Sequence, residues 1–248
     1  MFIMQEFPKM KIIAAHFGGY SQWDEAAQYV AGLDNVRVDT SSSTKFLGKQ
    51  KTKKMIEIPE SHAYARQAGD MLSGRTVTDV FNATYPHKFT WYTGDPAAYR
   101  SLFAGKKVLA AAGYGAFVDL LLEDKVHIAL SDGVNMRYCP AGAGIPPKYQ
   151  LLITFDDDSF LVFTVAMYGG INAFRDTLDN PYYLGALSKP SPLGDGFDAA
   201  YFDRLVAGAK PNLSAKAFLA TEQRIPGLGN GVLQDILFNA RIHPKRKM

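Results

Sequence analysis

Cysteine is nearly absent: Cys139 is the only one in 248 residues. One cysteine excludes an internal disulfide, and it excludes any cysteine-based zinc site made within a single chain. Long apolar runs are missing too, and no stretch approaches the ~20 uninterrupted apolar residues that a membrane span requires. The opening MFIMQEFPKMK has neither a long apolar stretch nor a small-residue cleavage site, so it does not read as a secretory signal. These absences lead us to expect a cytoplasmic protein without membrane contact. No internal repeat and no long low-complexity tract is visible.

A core is affordable, since 47% of the residues are hydrophobic. The net charge of +3 is small but unevenly placed. From Arg204 onward eight Lys/Arg face two acids, Glu222 and Asp235, so that segment carries +6 and the remainder −3. A basic segment beside a near-neutral body suggests a polyanionic partner, although a solubilising tail would show the same charge.

Texture divides the chain, and an α+β fold class is expected. Residues 1–44 read as a βαβ fragment: a strand at Lys11–Ala15, a Gly18-Gly19 turn, a helix at Trp23–Ala31 and a strand from Val36. Residues 45–54, KFLGKQKTKK, read as a basic linker. Residues 55–190 open with a helix at His62–Leu72, capped by Ser61 and stopped near Gly74. Strand-like runs follow at 76–81, 87–92, 107–112, 117–122, 126–130, 149–155 and 160–166, with FDDDSF as a hairpin turn, so a β-sandwich is expected. Residues 191–248 turn helical, with helices at Asp198–Ala207, Ser214–Glu222 and Gly231–Ala240, and the chain reaches Met248 without a final packed element.

The most informative stretch is KAFLATEQRIPGLGNGVLQDILFNARIHP, Lys216 to Pro244. It reads as helix, glycine turn, helix. Gly227 and Gly229 permit a sharp bend, and open amides at the following helix start could hold a phosphate. Asn230 begins that helix and can cap it or donate to an anion, while Lys216 could reach a second phosphate. Such contacts grip a nucleic-acid backbone without reading its sequence. A purely structural glycine turn is the alternative.

This stretch is similar to the helix–two-turn–helix of the formamidopyrimidine-DNA glycosylase and endonuclease VIII family. The match falls on Lys216, Gln223, Gly227, Gly229 and Asn230, and Arg241 stands where a glycine is usual. MIEIPESHAYARQAGDMLSGRTVTDV, from Met55, resembles the family's Pro-Glu-Leu-Pro-Glu opening, helix and following strand. The resemblance spans about 190 residues. It implies base-excision repair, as a glycosylase and abasic-site lyase on damaged or abasic duplex DNA, by a monomer. The family's nucleophile is an N-terminal proline amine, which titrates near pH 8 and attacks C1′ of a flipped-out nucleotide.

The chain departs from that scheme at four places. Ile56 occupies the nucleophile position, and its nitrogen is an amide. The family lysine is replaced around Gly113–Gly115, with Tyr114 nearest. The wedge segment reads VAMYGG, so Tyr168 is the candidate wedge and the arginine is missing. The family's zinc finger would lie beyond Met248, so no metal or other cofactor is expected in this chain. Glu57 and Glu60 match the family's two acids, the first of which protonates the opening sugar; a helix-start charge pair is the other reading.

Residues 1–50 resemble a piece of the amidohydrolase-related family of metal-dependent barrels, with His16 at a strand end and Asp39-Thr40-Ser41-Ser42 at the next. A lone histidine is not a site, and packing is its commoner role. Three functions stand open: a repair enzyme, a non-catalytic DNA-binding protein and a metallohydrolase fragment.

Overall fold

The computed structural model describes residues Met55–Met248 and two short strands before them, β1 (Ile12–Ala15) and β2 (Val36–Asp39). The chain divides into two compact units, Met1–Lys54 and Met55–Met248. In the first, β1 and β2 pair in parallel with Ile12 opposite Val36. The expected helix at 23–31, His16, residues 40–42 and the linker at 45–54 lie outside the described residues.

The second unit is a mixed α+β body with two sheets. It opens with α1 (Ile58–Leu72), which starts earlier than the sequence suggested. Glu57 is its N-cap, and the Glu57 N–H donates to Glu60 Oε2 at 3.2 Å, a capping-box bond. Ser61, expected as the cap, is instead buried inside the helix. Its hydroxyl bonds the Ile58 and Gly115 carbonyls at 3.0 and 2.7 Å, so it acts as a tie to a neighbouring turn.

The first sheet contains β3 (Val77–Asn82), β9 (Leu151–Phe155), β10 (Phe160–Val165) and β8 (Val134–Cys139), in that order and all antiparallel. The second runs β4 (Thr90–Thr93), β11 (Gly169–Arg175), β7 (Val126–Ser131), β6 (Phe117–Leu122) and β5 (Val108–Tyr114). There only β4 and β11 are parallel. Period-two patterning places the core: Leu151, Ile153 and Phe155 of β9 meet Val118, Leu120 and Leu122 of β6 and Ala65, Ala68 and Leu72 of α1 in one apolar cluster.

Four elements in this body went unread in the sequence. They are β8, β11, α2 (Tyr99–Phe103) and α3 (Pro181–Ser188). β11 carries two glycines because neighbours crowd it: a Cβ on Gly169 would lie 2.7 Å from Val134 Cγ2, and one on Gly170 2.8 Å from Ser131 Oγ. α3 did have a signal, Asn180-Pro181, in which Asn180 caps the amides of Tyr182 and Tyr183.

After Pro192 come α4 (Ala199–Ala207), α5 (Ala215–Ala220) and α6 (Asn230–Asn239), capped by Asp198, Ser214 and Gly229. Ile58 of α1 joins Ile225, Leu228, Leu233 and Leu237 in a second core, which fixes α6 to the start of α1. Arg241 takes φ +55, the left-handed position that a glycine would occupy without strain. No further element packs after α6 and residues 243–248 stay exposed, but backbone bonds tie them down: Arg246 O accepts from Ala215 N at 2.8 Å, and Met248 N donates to Leu213 O at 3.0 Å.

Between α5 and α6, Gly227 adopts φ +79, and a Cβ there would lie 2.2 Å from the Gly115 carbonyl carbon. The atoms it would meet, in Gly115 and Ala116, are backbone and cannot swing aside. Gly227→Ala should therefore cost about 3 kcal/mol, read as a lowered urea midpoint; unchanged stability would show that the two turns do not touch.

Candidate nucleic-acid interface

Three backbone turns meet at one place. Ile58 N donates to Gly227 O at 3.1 Å, Ser61 holds the Gly115 carbonyl, and Gly227 packs on Gly115 and Ala116. Above this junction lies a cleft of about 430 Å3. Its lining includes Ile56, Glu57, Tyr168, Gln223, Gly227, Gly229 and Asn230, which arrive from three separated stretches of chain. Two expected residues are not in the lining: Glu60 is buried at the α1 start, and Lys216 is exposed on α5.

Glu57 does more than the sequence suggested. Its carboxylate accepts from Gly231 N at 3.0 Å and Val232 N at 2.8 Å, the open amides of the first turn of α6. The charge also sits at the positive end of that helix. Gly229 is required by this contact, because a Cβ would fall 2.5 Å from Glu57 Cδ. The expectation that these amides hold a phosphate is thereby corrected, since a carboxylate of the chain itself already fills them. Asn230 is the first helical residue after the Gly229 cap, and its side chain remains exposed.

The rest of the turn is locked by a cation. Arg224 is buried, and its Nη1 donates to the Phe218 and Thr221 carbonyls at 3.1 and 3.3 Å, while Nη2 pairs with Glu222 at 2.5 Å. Lys189 Nζ donates to Gln223 O. Counting charges along the sequence placed Arg224 in the basic segment, yet it and Lys189 both serve to shape this loop.

Ile56, at the nucleophile position, is a core residue whose amide donates to Asp132 O at 2.7 Å. It holds no free amine. Tyr114 is corrected as well: it packs edge-on against Tyr183 at 6.3 Å, and Ala116 is the neighbouring residue that lines the cleft. Among the described residues no Lys, Arg or His is in the lining, and the acids there are Glu57 and Asp132. Tyr168 sits at the cleft rim, exposed, with its ring 5.7 Å from Trp91.

Ser131, Asp132, Asn180 and Tyr182 also line the cleft and were not foreseen. Asp132-Gly133 between two apolar runs is a hairpin-turn signal, and Asp132 takes φ +57. Burial raises the Asp132 carboxyl above its ordinary pKa of 3.8, opposed by the Ser131 hydroxyl bond at 2.9 Å. Behind the cleft, His127 Nδ1 lies 3.1 Å from both oxygens of buried Asp119, which also accepts from the Tyr183 hydroxyl. Burial first, then Asp119, pushes the Tyr183 phenol up, so it stays a donor. This network anchors α3, and with it Asn180 and Tyr182. Among the described residues no three His, Cys, Asp or Glu side chains group closely enough to hold a metal ion.

No protein-family model matches the chain. It is similar to the formamidopyrimidine-DNA glycosylase of Lactococcus lactis, 24% identical over 194 residues, covering 77% of this chain and 69% of that protein. The glycosylase of Geobacillus kaustophilus is 29% identical over 199 residues, with the same two coverages. Among solved structures, Lactococcus lactis Fpg bound non-covalently to DNA containing an abasic site aligns at TM-score 0.64 and 21% identity, over 77% of this chain and 72% of that one. MutM with DNA containing carbocyclic 8-oxo-G aligns at 0.63 and 20%, over 77% and 71%. The chain thus has sequence homology to these glycosylases and shares their fold over about three-quarters of its length. The amidohydrolase-like reading of residues 1–50 finds no support in these comparisons.

Two outcomes are expected from the cleft acids. Glu57→Ala strips the first turn of α6 of its acceptor and should cost about 2–3 kcal/mol, with faster hydrogen exchange at Gly231 and Val232; exchange identical to the parent would contradict the clamp. Asp132 binds its proton more tightly folded than unfolded, so its contribution to stability falls as pH rises from 3.8 through the higher folded value. Asp132→Asn should therefore gain stability over the parent at neutral pH and lose that advantage below pH 3.8, as followed by thermal melts.

Proposed function

We propose that residues 55–248 form a base-excision repair protein that binds damaged or abasic duplex DNA, and that this chain does so without the amine chemistry of its relatives. The observation that carries the reading is the convergence of Glu57, Tyr168, Gln223, Gly227, Gly229 and Asn230 on one cleft. Its likeness to proteins that carry a glycosylase name, and to structures that contain abasic-site DNA, points the same way.

The physical division of labour runs as follows. With the α6 amides taken by Glu57, phosphate falls to the exposed Lys216 and Asn230 side chains. Tyr168, at the rim, would fill the gap left by a displaced nucleotide. Glu57 serves as the clamp that holds the helix in register, and Glu60 supports the α1 start. A Schiff base needs a neutral amine at the sugar, and among the described residues the lining offers an Ile56 amide and no lysine. Lesion recognition therefore stands ahead of strand cleavage.

The test is fluorescence anisotropy of the full chain with a duplex containing a tetrahydrofuran abasic analogue. Tighter binding to that duplex than to its undamaged counterpart is expected. Lys216→Ala should weaken it and lower the slope of log affinity against log salt by about 0.9, and Asn230→Ala should weaken it further. Borohydride treatment on true abasic DNA should leave no covalent adduct. Binding indifferent to both substitutions would overturn the assignment, and a trapped adduct would overturn the amine-free chemistry.

A further inference from the structure

Four large aromatic side chains stand in water on one side of the cleft. Tyr85, Phe89, Trp91 and Tyr168 are 50%, 50%, 52% and 40% exposed. Their backbones are tied into one strip. The β4–β11 pairing sets Trp91 opposite Gly170, and Gly169 N donates to Phe89 O at 3.0 Å. Farther along, Gln150 Nε2 donates to Tyr85 O at 2.8 Å, so the segment before β4 is held on the end of β9. The strip begins at the cleft, because Tyr168 lines it and Trp91 packs on Tyr168.

Lysines accompany the rings. Lys88 Nζ lies 5.4 Å from the Phe89 ring centre, and Lys148 Nζ 4.5 Å from that of Tyr85. Both lysines are exposed, and neither pairs with a carboxylate among the described residues. Flat apolar faces alternating with unpaired cations suit a chain in which flat bases alternate with phosphates. A duplex keeps its bases stacked inside and shows such rings only phosphates and groove edges, so the rings need bases that are unstacked.

We propose that Tyr85, Phe89 and Trp91, with Lys88 and Lys148, bind an unpaired nucleic-acid strand that leads into the cleft at Tyr168. This rests on the repair reading and narrows its substrate: a lesion beside single-stranded DNA, at a gap, a bubble or a strand end. The cleft receives the damaged nucleotide, and the strip holds the neighbouring unpaired bases.

The test compares a blunt abasic-analogue duplex with the same duplex carrying a single-stranded oligothymidine extension beside the lesion, each titrated against the full chain. The extension should tighten binding. Trp91→Ala should remove roughly 5- to 150-fold of the affinity for the extended substrate, the worth of one stacked base, and leave the blunt duplex unchanged. Trp91→Phe, which keeps a ring, should retain most of the gain, while abolishing the quenching of tryptophan emission that oligothymidine alone produces in the parent. Equal loss on both substrates, or no loss on either, would overturn the strip. Failure of Lys216→Ala to weaken the blunt duplex would strike the repair reading instead, and oligothymidine binding would still report on the strip by itself.

Discussion

The arrangement depends on one carboxylate. Glu57 and the first turn of α6 are 174 residues apart in sequence, and two hydrogen bonds join them. A charge placed on the positive end of a helix satisfies orphan amides and the helix dipole together. That bond fixes the segment entering α1 against the glycine turn, and so sets two walls of the cleft. It also explains why the turn has glycine at 229: the carboxylate occupies the volume that a side chain would need. The family resemblance assigned this acid to proton transfer, yet in this chain its oxygens are already engaged by backbone.

Close backbone packing supplies the rest of the frame. Gly113 lies against the α1 backbone at Ser61 and His62, and Gly115 against Pro226, so the β5–β6 turn is pressed between a helix start and a loop. Arg224 and Lys189 secure that loop from within. The charge that remains for a polyanion is smaller than a count along the chain implies, and it lies at exposed positions such as Lys216. Among the described residues the cleft is lined by two acids and no cation, so its floor has little attraction for an anion.

At this cleft Ile56 is a core residue and Ala116 a lining one. The sandwiched sheets, α1 and the glycine turn nevertheless persist, because their contacts are apolar or backbone to backbone and need neither an amine nor a lysine. Among the described residues Asp132, its carboxyl raised by burial, is the one acid newly found in the lining.

The order of most elements was legible by itself. Period-two runs gave seven of the strands, FDDDSF the β9–β10 hairpin, and Gly-Leu-Gly-Asn the turn between α5 and α6, because these signals are local and repeat along the chain. β11 was hidden by its glycines, whose cause is crowding from Val134 and Ser131, and the start of α1 was misplaced because its cap is a glutamate that also serves α6. The sequence determined which residue types were available: a lysine at 216, an asparagine at 230, a tyrosine at 168 and an isoleucine at 56. Only tertiary structure decided that the α6 amides are filled, that Arg224 is buried, and that Trp91 stands beside Tyr168. Those outcomes depend on contacts between residues far apart along the chain, which no local pattern encodes.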